Sequence, residues 1–314
     1  MTRILTPMRS PAARAGFTLV ELLVVIAIIA ILFSLTTAAV VKVIATADET
    51  ANRTEISKLE AAVRSFQSHY GVKYVPSRIR LLENGNYNMS LTAAGTPVNQ
   101  LDHDSLTYLK QVWPKLTFPV DWNGDGTAGN SDATLQGDQC LVFFLGGIPA
   151  QNAIATTGFS TNPKNPAWHI RNGGDVVQPF YEFKSNRLVR LHGNRFFSYL
   201  DNYGRGDGNG NLLNATPPYK PFAYFSSSKA GNDYTRYGDG PTSDCALLGV
   251  SPYREPGTNP VIFHNREGFQ IISAGPDRLF GPGGVWSPST AGGIPQAGRD
   301  DQANFYDRRL GASQ

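Results

Sequence analysis

The carboxylates that recur at regular spacing in this chain fall in Gly/Asn-rich stretches rather than on helix faces. Asp121-Trp-Asn123-Gly-Asp125-Gly126-Thr127 puts side-chain oxygens at positions 1, 3 and 5 of an EF-type loop, glycine at 6 for the sharp turn, a carbonyl at 7 and Asp132 at 12. That spacing is calcium chemistry. It departs from the EF pattern in having Asp rather than a bidentate Glu at position 12 and Pro119 where a helix should enter, and the same residues would also build a plain Asn-Gly/Asp-Gly turn. Asp207-x-Asn209-x-Asn211 is a poorer copy and reads as a polar loop. The histidines, His69, His103, His169, His192 and His264, are scattered without a His-Glu-x-x-His pair, and the chain contains neither a G-x-S-x-G elbow nor a P-loop. Acids in such loops suit ion binding better than acid–base catalysis in an apolar cleft, so the expectation is a protein that is not an enzyme. Two cysteines, Cys140 and Cys245, exclude a disulfide framework and a four-cysteine zinc module. They leave one possible bridge, which would contribute on the order of 4–5 kcal/mol by chain entropy, or two buried thiols.

A carboxylate of another kind is Glu21. It opens an otherwise uncharged stretch, and Leu22 to Val41 (LLVVIAIIAILFSLTTAAVV) is twenty residues without a charge, about 30 Å as a helix and long enough to cross a bilayer. Ahead of it, residues 1–16 carry Arg3, Arg9 and Arg14 and no acid, which places the N-terminus in the cytoplasm and everything beyond about Lys42 outside. An ordinary secretory signal has a shorter apolar region and a small-residue cleavage site. Neither that nor a plain anchor accounts for an ionisable group at membrane depth.

Gly16-Phe17-Thr18-Leu19-Val20-Glu21 followed by LLVVIAIIAIL resembles the class III signal of type IV pilins and type II secretion pseudopilins. The resemblance implies that a prepilin peptidase cuts between Gly16 and Phe17 and methylates the new amine. It also implies that the apolar segment stays on the protein, and that Glu21 meets the Phe17 ammonium of a neighbouring subunit during assembly. In a water-poor filament core such a complementary pair offsets the burial of both charges and sets the register between subunits.

The element that must carry Glu21 is one long helix. Beyond Val41 the pattern turns amphipathic with no Gly or Pro before Gly71; Ile56, Leu59, Val63, Phe66 and Tyr70 make one stripe, and Arg53, Glu55, Lys58, Glu60 and Arg64 cover the other faces. Gly71 reads as the C′ residue, and Phe17 to Tyr70 would span roughly 80 Å. The organisation is therefore a leader (1–16), a transmembrane half-stem (17–41), an amphipathic half-stem (42–70) and an exported head (71–314). In the head, short apolar runs at 140–145, 180–183, 188–191, 196–200, 222–225, 261–263 and 269–272 read as strands, and residues from Asp104 to Trp113 as one capped helix. This gives an α+β class, an antiparallel sheet packed on the stem. Asp201-Asn202-Tyr203-Gly204 with Pro221-Phe222-Ala223-Tyr224 loosely resembles a hairpin region of major pseudopilins. Ser273-x-Gly275-x-Asp277 with Asp300-Asp301-x-x-Asn304 is similar to their C-terminal calcium loop, with Arg278 in place of the usual glycine. That resemblance implies calcium ligation by Ser273, Asp277, Asp300 and Asp301.

With 41% apolar and 17% charged residues the 314-residue chain is a folded protein. Its net charge of +3, from 28 basic and 25 acidic side chains, is too small to point to nucleic acid. All three excess charges sit in the leader, and without Arg3, Arg9 and Arg14 the balance is 25 against 25. The resemblance implies a filament subunit of a type II secretion pseudopilus or type IV pilus-like fibre, held in the inner membrane with its head in the periplasm. Its partners would be other pilin-like subunits, prepilin peptidase, and an assembly platform with its ATPase. The alternative is a signal-anchored single-pass protein presenting a binding head.

Overall fold

The computed structural model describes residues 17–228, 231–289 and 294–312; the leader and Gly16 lie outside the described residues. The chain divides into two compact units, Met1–Ala47 and Asp48–Gln314. Helix α1, Leu19–Tyr70, supplies residues to both. The second unit thus takes in the C-terminal part of α1.

In the first unit α1 is long and apolar enough to cross a membrane, and its large side chains, Leu22 to Phe33 and Val40 to Ile44, are exposed. The few hydroxyls there bond back into the helix: Ser34 to the Ile31 carbonyl at 2.8 Å, Thr36 to Leu32 at 2.9 Å, Thr37 to Phe33 at 2.7 Å and Thr46 to Lys42 at 2.9 Å. No hydroxyl in this set needs water, which suits a helix in hydrocarbon.

In the second unit the stripe of α1 enters the core, with Ile56, Leu59, Ala62, Val63 and Phe66 buried. The helix stops at a Schellman turn: Gly71 takes φ +64°, and Val72 N–H donates to the Gln67 carbonyl at 3.0 Å. The remaining elements are β1 (Ile79–Leu82), α2 (Gln100–Val112), β2 (Asp132–Leu135), α3 (Gly137–Gly146), β3 (Phe159–Ser160), α4 (Trp168–Asn172) and β4 (Val176–Val177). They are followed by β5 (Leu188–Val189), β6 (Ser198–Tyr199), β7 (Ala223–Ser226), β8 (Tyr253–Arg254), β9 (Phe269–Ser273), β10 (Gly284–Val285), β11 (Gln302–Ala303) and β12 (Tyr306–Arg309). The class is α+β. An antiparallel sheet of order β12-β11-β9-β7 is the largest, beside antiparallel pairs β1–β2, β3–β4 and β5–β6 and a parallel pair β8–β10.

The run CLVFFL at 140–145 is not a strand but the body of α3, every residue of which is buried. A continuous apolar run is compatible with either buried element. Here Gly137, whose missing Cβ would meet the Tyr224 carbonyl, lets the helix start lie against β7. Phe144 then packs edge-on against Phe66 of the stem, ring centroids 5.5 Å apart. Residues 180–183 form no strand either; Phe180 packs on Phe66, and Tyr181 and Phe183 on Tyr199. The run at 261–263 contributes one isolated bridge, Phe263 to Arg254. Helix α2 starts earlier than Asp104, at Gln100, because Asn99 caps it by accepting from Asp102 N–H at 3.1 Å.

Ser77, in the turn after the stem, ties that turn to β7: its hydroxyl donates to buried Asp244 at 2.6 Å and accepts from Ser226 N–H at 3.0 Å. Burial pushes the Asp244 carboxyl up to about 6 from 3.8. The folded chain holds this proton more tightly than the unfolded one. The resulting stability is complete below about pH 4 and is lost as pH rises through 6, on the order of 3 kcal/mol. Asp244→Asn should flatten the dependence of the urea midpoint on pH between 4 and 6. An unchanged slope would contradict the assignment.

Candidate functional site

The start of α1 is a capping box. Thr18 N–H and Thr18 Oγ1 both donate to Glu21 Oε2 at 2.8 Å, and Glu21 N–H donates back to Thr18 Oγ1 at 3.2 Å. Two N-terminal donors of the helix are satisfied reciprocally, and the Glu21 carboxylate is held against the first turn beside exposed Phe17. Thr18 was not singled out from the sequence. The Thr-x-x-Glu spacing directly before an apolar run was its signal.

A second set of polar side chains on α1 lies within the head unit. Glu55, expected on an outer face, is only 7% exposed. Its carboxylate accepts from Tyr181 Oη, from Tyr199 Oη at 2.9 Å and from Arg187 Nη1 at 3.1 Å. Arg187, 2% exposed, spends Nε and Nη2 on the Leu200 carbonyl at 2.9 and 2.5 Å and lies 4.3 Å over the Tyr199 ring. Burial by itself would raise the Glu55 carboxyl, but the Tyr181 hydroxyl, the Arg187 charge and the Tyr199 hydroxyl together hold it below the ordinary carboxylate range. One turn earlier, Asn52 is completely buried. Its Nδ2 donates to Ser273 Oγ at 2.8 Å and Gln302 Oε1 at 2.6 Å, and its Oδ1 accepts from Asn202 N–H at 3.0 Å. Asn52 and Glu55 sit four residues before Ile56 and Leu59, on the backward extension of the stripe, and that periodicity was the available signal.

The calcium candidates fall in two places. In the first, Asp121, Asn123 and Asp125 share one tight turn, but Asp132 lies in β2, 64% exposed at its side chain, with its carboxylate on Arg80 Nη2 at 3.0 Å. The carboxylate turned toward this turn is the buried Glu83, which no spacing rule marks. In the second, the Ser273 hydroxyl is committed to Asp201 Oδ2 at 2.7 Å and to Asn52. Asp300 Oδ2 accepts from Asp277 N–H at 2.9 Å, and Asp301 Oδ2 from Gly281 N–H at 2.9 Å and Tyr253 Oη at 3.1 Å. Buried Asp301 Oδ1 has no partner. Burial, helped by Asp277, pushes the Asp300 carboxyl up to about 6, and burial with the charges of Asp300 and Asp277 raises the Asp301 carboxyl well above its ordinary value. Arg278 keeps the left-handed backbone of the glycine it replaces, φ +64°. Among the described residues no three His, Cys, Asp or Glu side chains are placed to share one ion. Cys140 and Cys245 are both buried free thiols that donate to the Leu135 and Tyr224 carbonyls, not a bridge.

Helix α1 thus carries an acid in its first turn and a membrane-length apolar segment in the first unit, and buries its apolar stripe in the core of the α+β second unit. Residues 11–37 match the family model described as the prokaryotic N-terminal methylation motif, the signature of type IV pilins and pseudopilins. The match indicates a type IV pilin-like, prepilin-processed protein, and the signature implies polymerisation with pilin-like subunits. No curated protein and no solved structure matches the chain.

Glu55→Ala would strand the Arg187 guanidinium in the core, and a denaturant titration of the detergent-solubilised chain should show a loss of about 3–5 kcal/mol. Pairing Glu55→Leu with Arg187→Met should recover most of it, and equal losses in the single and double variants would exclude the ion pair as the cause.

Proposed function

We propose that this chain is a structural subunit of a type II secretion pseudopilus or a type IV pilus-like filament. Prepilin peptidase cuts it after Gly16 and methylates Phe17, and stem packing assembles it. The observation that carries the reading is the methylation motif placed so that its acid, Glu21, sits in the first turn of an exposed apolar helix. The subunit waits in the inner membrane with its head in the periplasm, and an assembly platform and ATPase draw it into a homo- or hetero-polymer. Its role is mechanical rather than catalytic. The pseudopilin form of this reading is supported by the closeness of the two C-terminal segments that resemble the calcium loop: Ser273 Oγ accepts from Gly275 N–H at 3.2 Å and Asp300 Oδ2 from Asp277 N–H at 2.9 Å.

N-terminal mass spectrometry of the mature chain should find N-methylated Phe17. An intact Met1, or a cut near Ala39, would support a signal-anchored binding protein instead. Glu21→Ala should insert into membranes as the wild type does while sheared filaments fall by about tenfold or more, the equivalent of losing roughly 1.4 kcal/mol of subunit pairing. Unchanged filament yield would remove Glu21 from assembly.

We propose the C-terminal acids as the calcium site of this head, supported by the buried Asp301 Oδ1, which makes no hydrogen bond. Calcium should then raise the melting temperature of the wild-type chain but not of Asp301→Asn. An equal shift in both, or none, would discard the site.

A further inference from the structure

The turn at 121–131 carries the spacing of a calcium loop, yet its oxygens are already engaged by the chain itself. Asp121 accepts from Asp125 N–H at 3.1 Å and Gly126 N–H at 2.8 Å through its two oxygens. Asn123 Oδ1 accepts from Asp125 N–H at 2.8 Å, and Asp125 accepts from Thr127 N–H at 2.7 Å and Asn123 Nδ2 at 3.2 Å. In a calcium loop these side chains and a backbone carbonyl converge on one ion. Here they converge on amides.

The carbonyls face a different cation. Arg195 donates from Nε to the Asn123 carbonyl at 3.1 Å, and from Nη2 to Gly124 at 3.3 Å, Ala150 at 3.3 Å and Gln151 at 3.0 Å. Two separate loops are thereby drawn onto one guanidinium that lies well downstream of both in sequence. Their approach is close: a Cβ on Gly124 would lie 1.9 Å from the Pro149 carbonyl, and Gln151 Nε2 donates to the Asp125 carbonyl at 3.0 Å. The opposite end of the turn is closed by an anion. Glu83 Oε2 accepts from the N–H groups of Gly129, Asn130 and Ser131 at 3.1, 3.2 and 3.2 Å, and Oε1 from Asn123 N–H at 3.4 Å.

We propose that Arg195 is the built-in cation of this loop, and that with Glu83 it does the ordering that a bound metal ion would otherwise do. The planar fork matters, because its Nε and Nη2 donors reach carbonyls of both loops from two fixed positions in one plane, whereas an ammonium offers its donors from a single atom. The loop is then ordered whether or not calcium is present, even where the C-terminal acids respond to the ion.

Hydrogen exchange on the full chain in detergent tests this segment by segment. Protection of the amides of Gly126, Thr127 and Gly129–Ser131 should be the same in excess EDTA and in millimolar calcium. It should fall roughly tenfold to a hundredfold in Arg195→Met, the range for hydrogen bonds to a charged group, while amides in β7 and β9 keep theirs. Arg195→Lys should lie between the two. Protection of the wild-type loop that collapses in EDTA, with Asp125→Ala reproducing the collapse, would overturn the proposal, as would full protection in Arg195→Met. If Arg195→Met does not fold, the wild-type comparison in EDTA and calcium still decides whether a metal orders the loop.

Discussion

The head depends on two polar side chains that a stem helix would ordinarily keep in water. Asn52 and Glu55 are buried where α1 enters the head unit, and each bonds to segments widely separated in sequence: Asn202, Ser273 and Gln302 for the first, Tyr181, Arg187 and Tyr199 for the second. An apolar stripe alone fixes which face of a helix is buried but tolerates sliding by a turn. Buried polar groups do not, because every displaced donor or acceptor is left without water or a partner. The pair therefore fixes the axial position of the stem, as a single polar residue can in a coiled coil.

The same network joins the two halves of the head core. Ser273 ends β9 and Gln302 begins β11, both in the four-stranded sheet, whereas Arg187 precedes β5 and Tyr199 ends β6. One helical turn of α1 thus reads out both sheets. The carboxylate of Glu55 stays ionised because two hydroxyls and a guanidinium replace the water it has lost.

Much of this was legible in the residues and some was not. The stem's extent and its Gly71 stop follow from periodicity and turn chemistry, and strands β7 and β9 from short apolar runs between turns, all of which act locally. Helix α3 was not legible, because its uniformly apolar sequence carries no period, and only its burial on all sides by β6, β7 and the stem decides the matter. Glu55 was misplaced for a related reason. Its charge suggests solvent, and the groups that satisfy it lie more than 120 residues away. Asp132 fits a calcium loop by count alone; the strand that removes it is fixed by pairing with β1, and Arg80, two residues before Leu82, claims its carboxylate.

The capping box gives the first turn of α1 an occupation of its own. Under the proposed pairing, a neighbour's Phe17 ammonium approaches a carboxylate that already accepts two bonds from Thr18. Joining the filament is then an exchange of partners rather than the capture of a bare charge. The cost of that exchange is the loss of a cap, felt in the first turn of α1, so Thr18 and the neighbour's amine compete for one carboxylate.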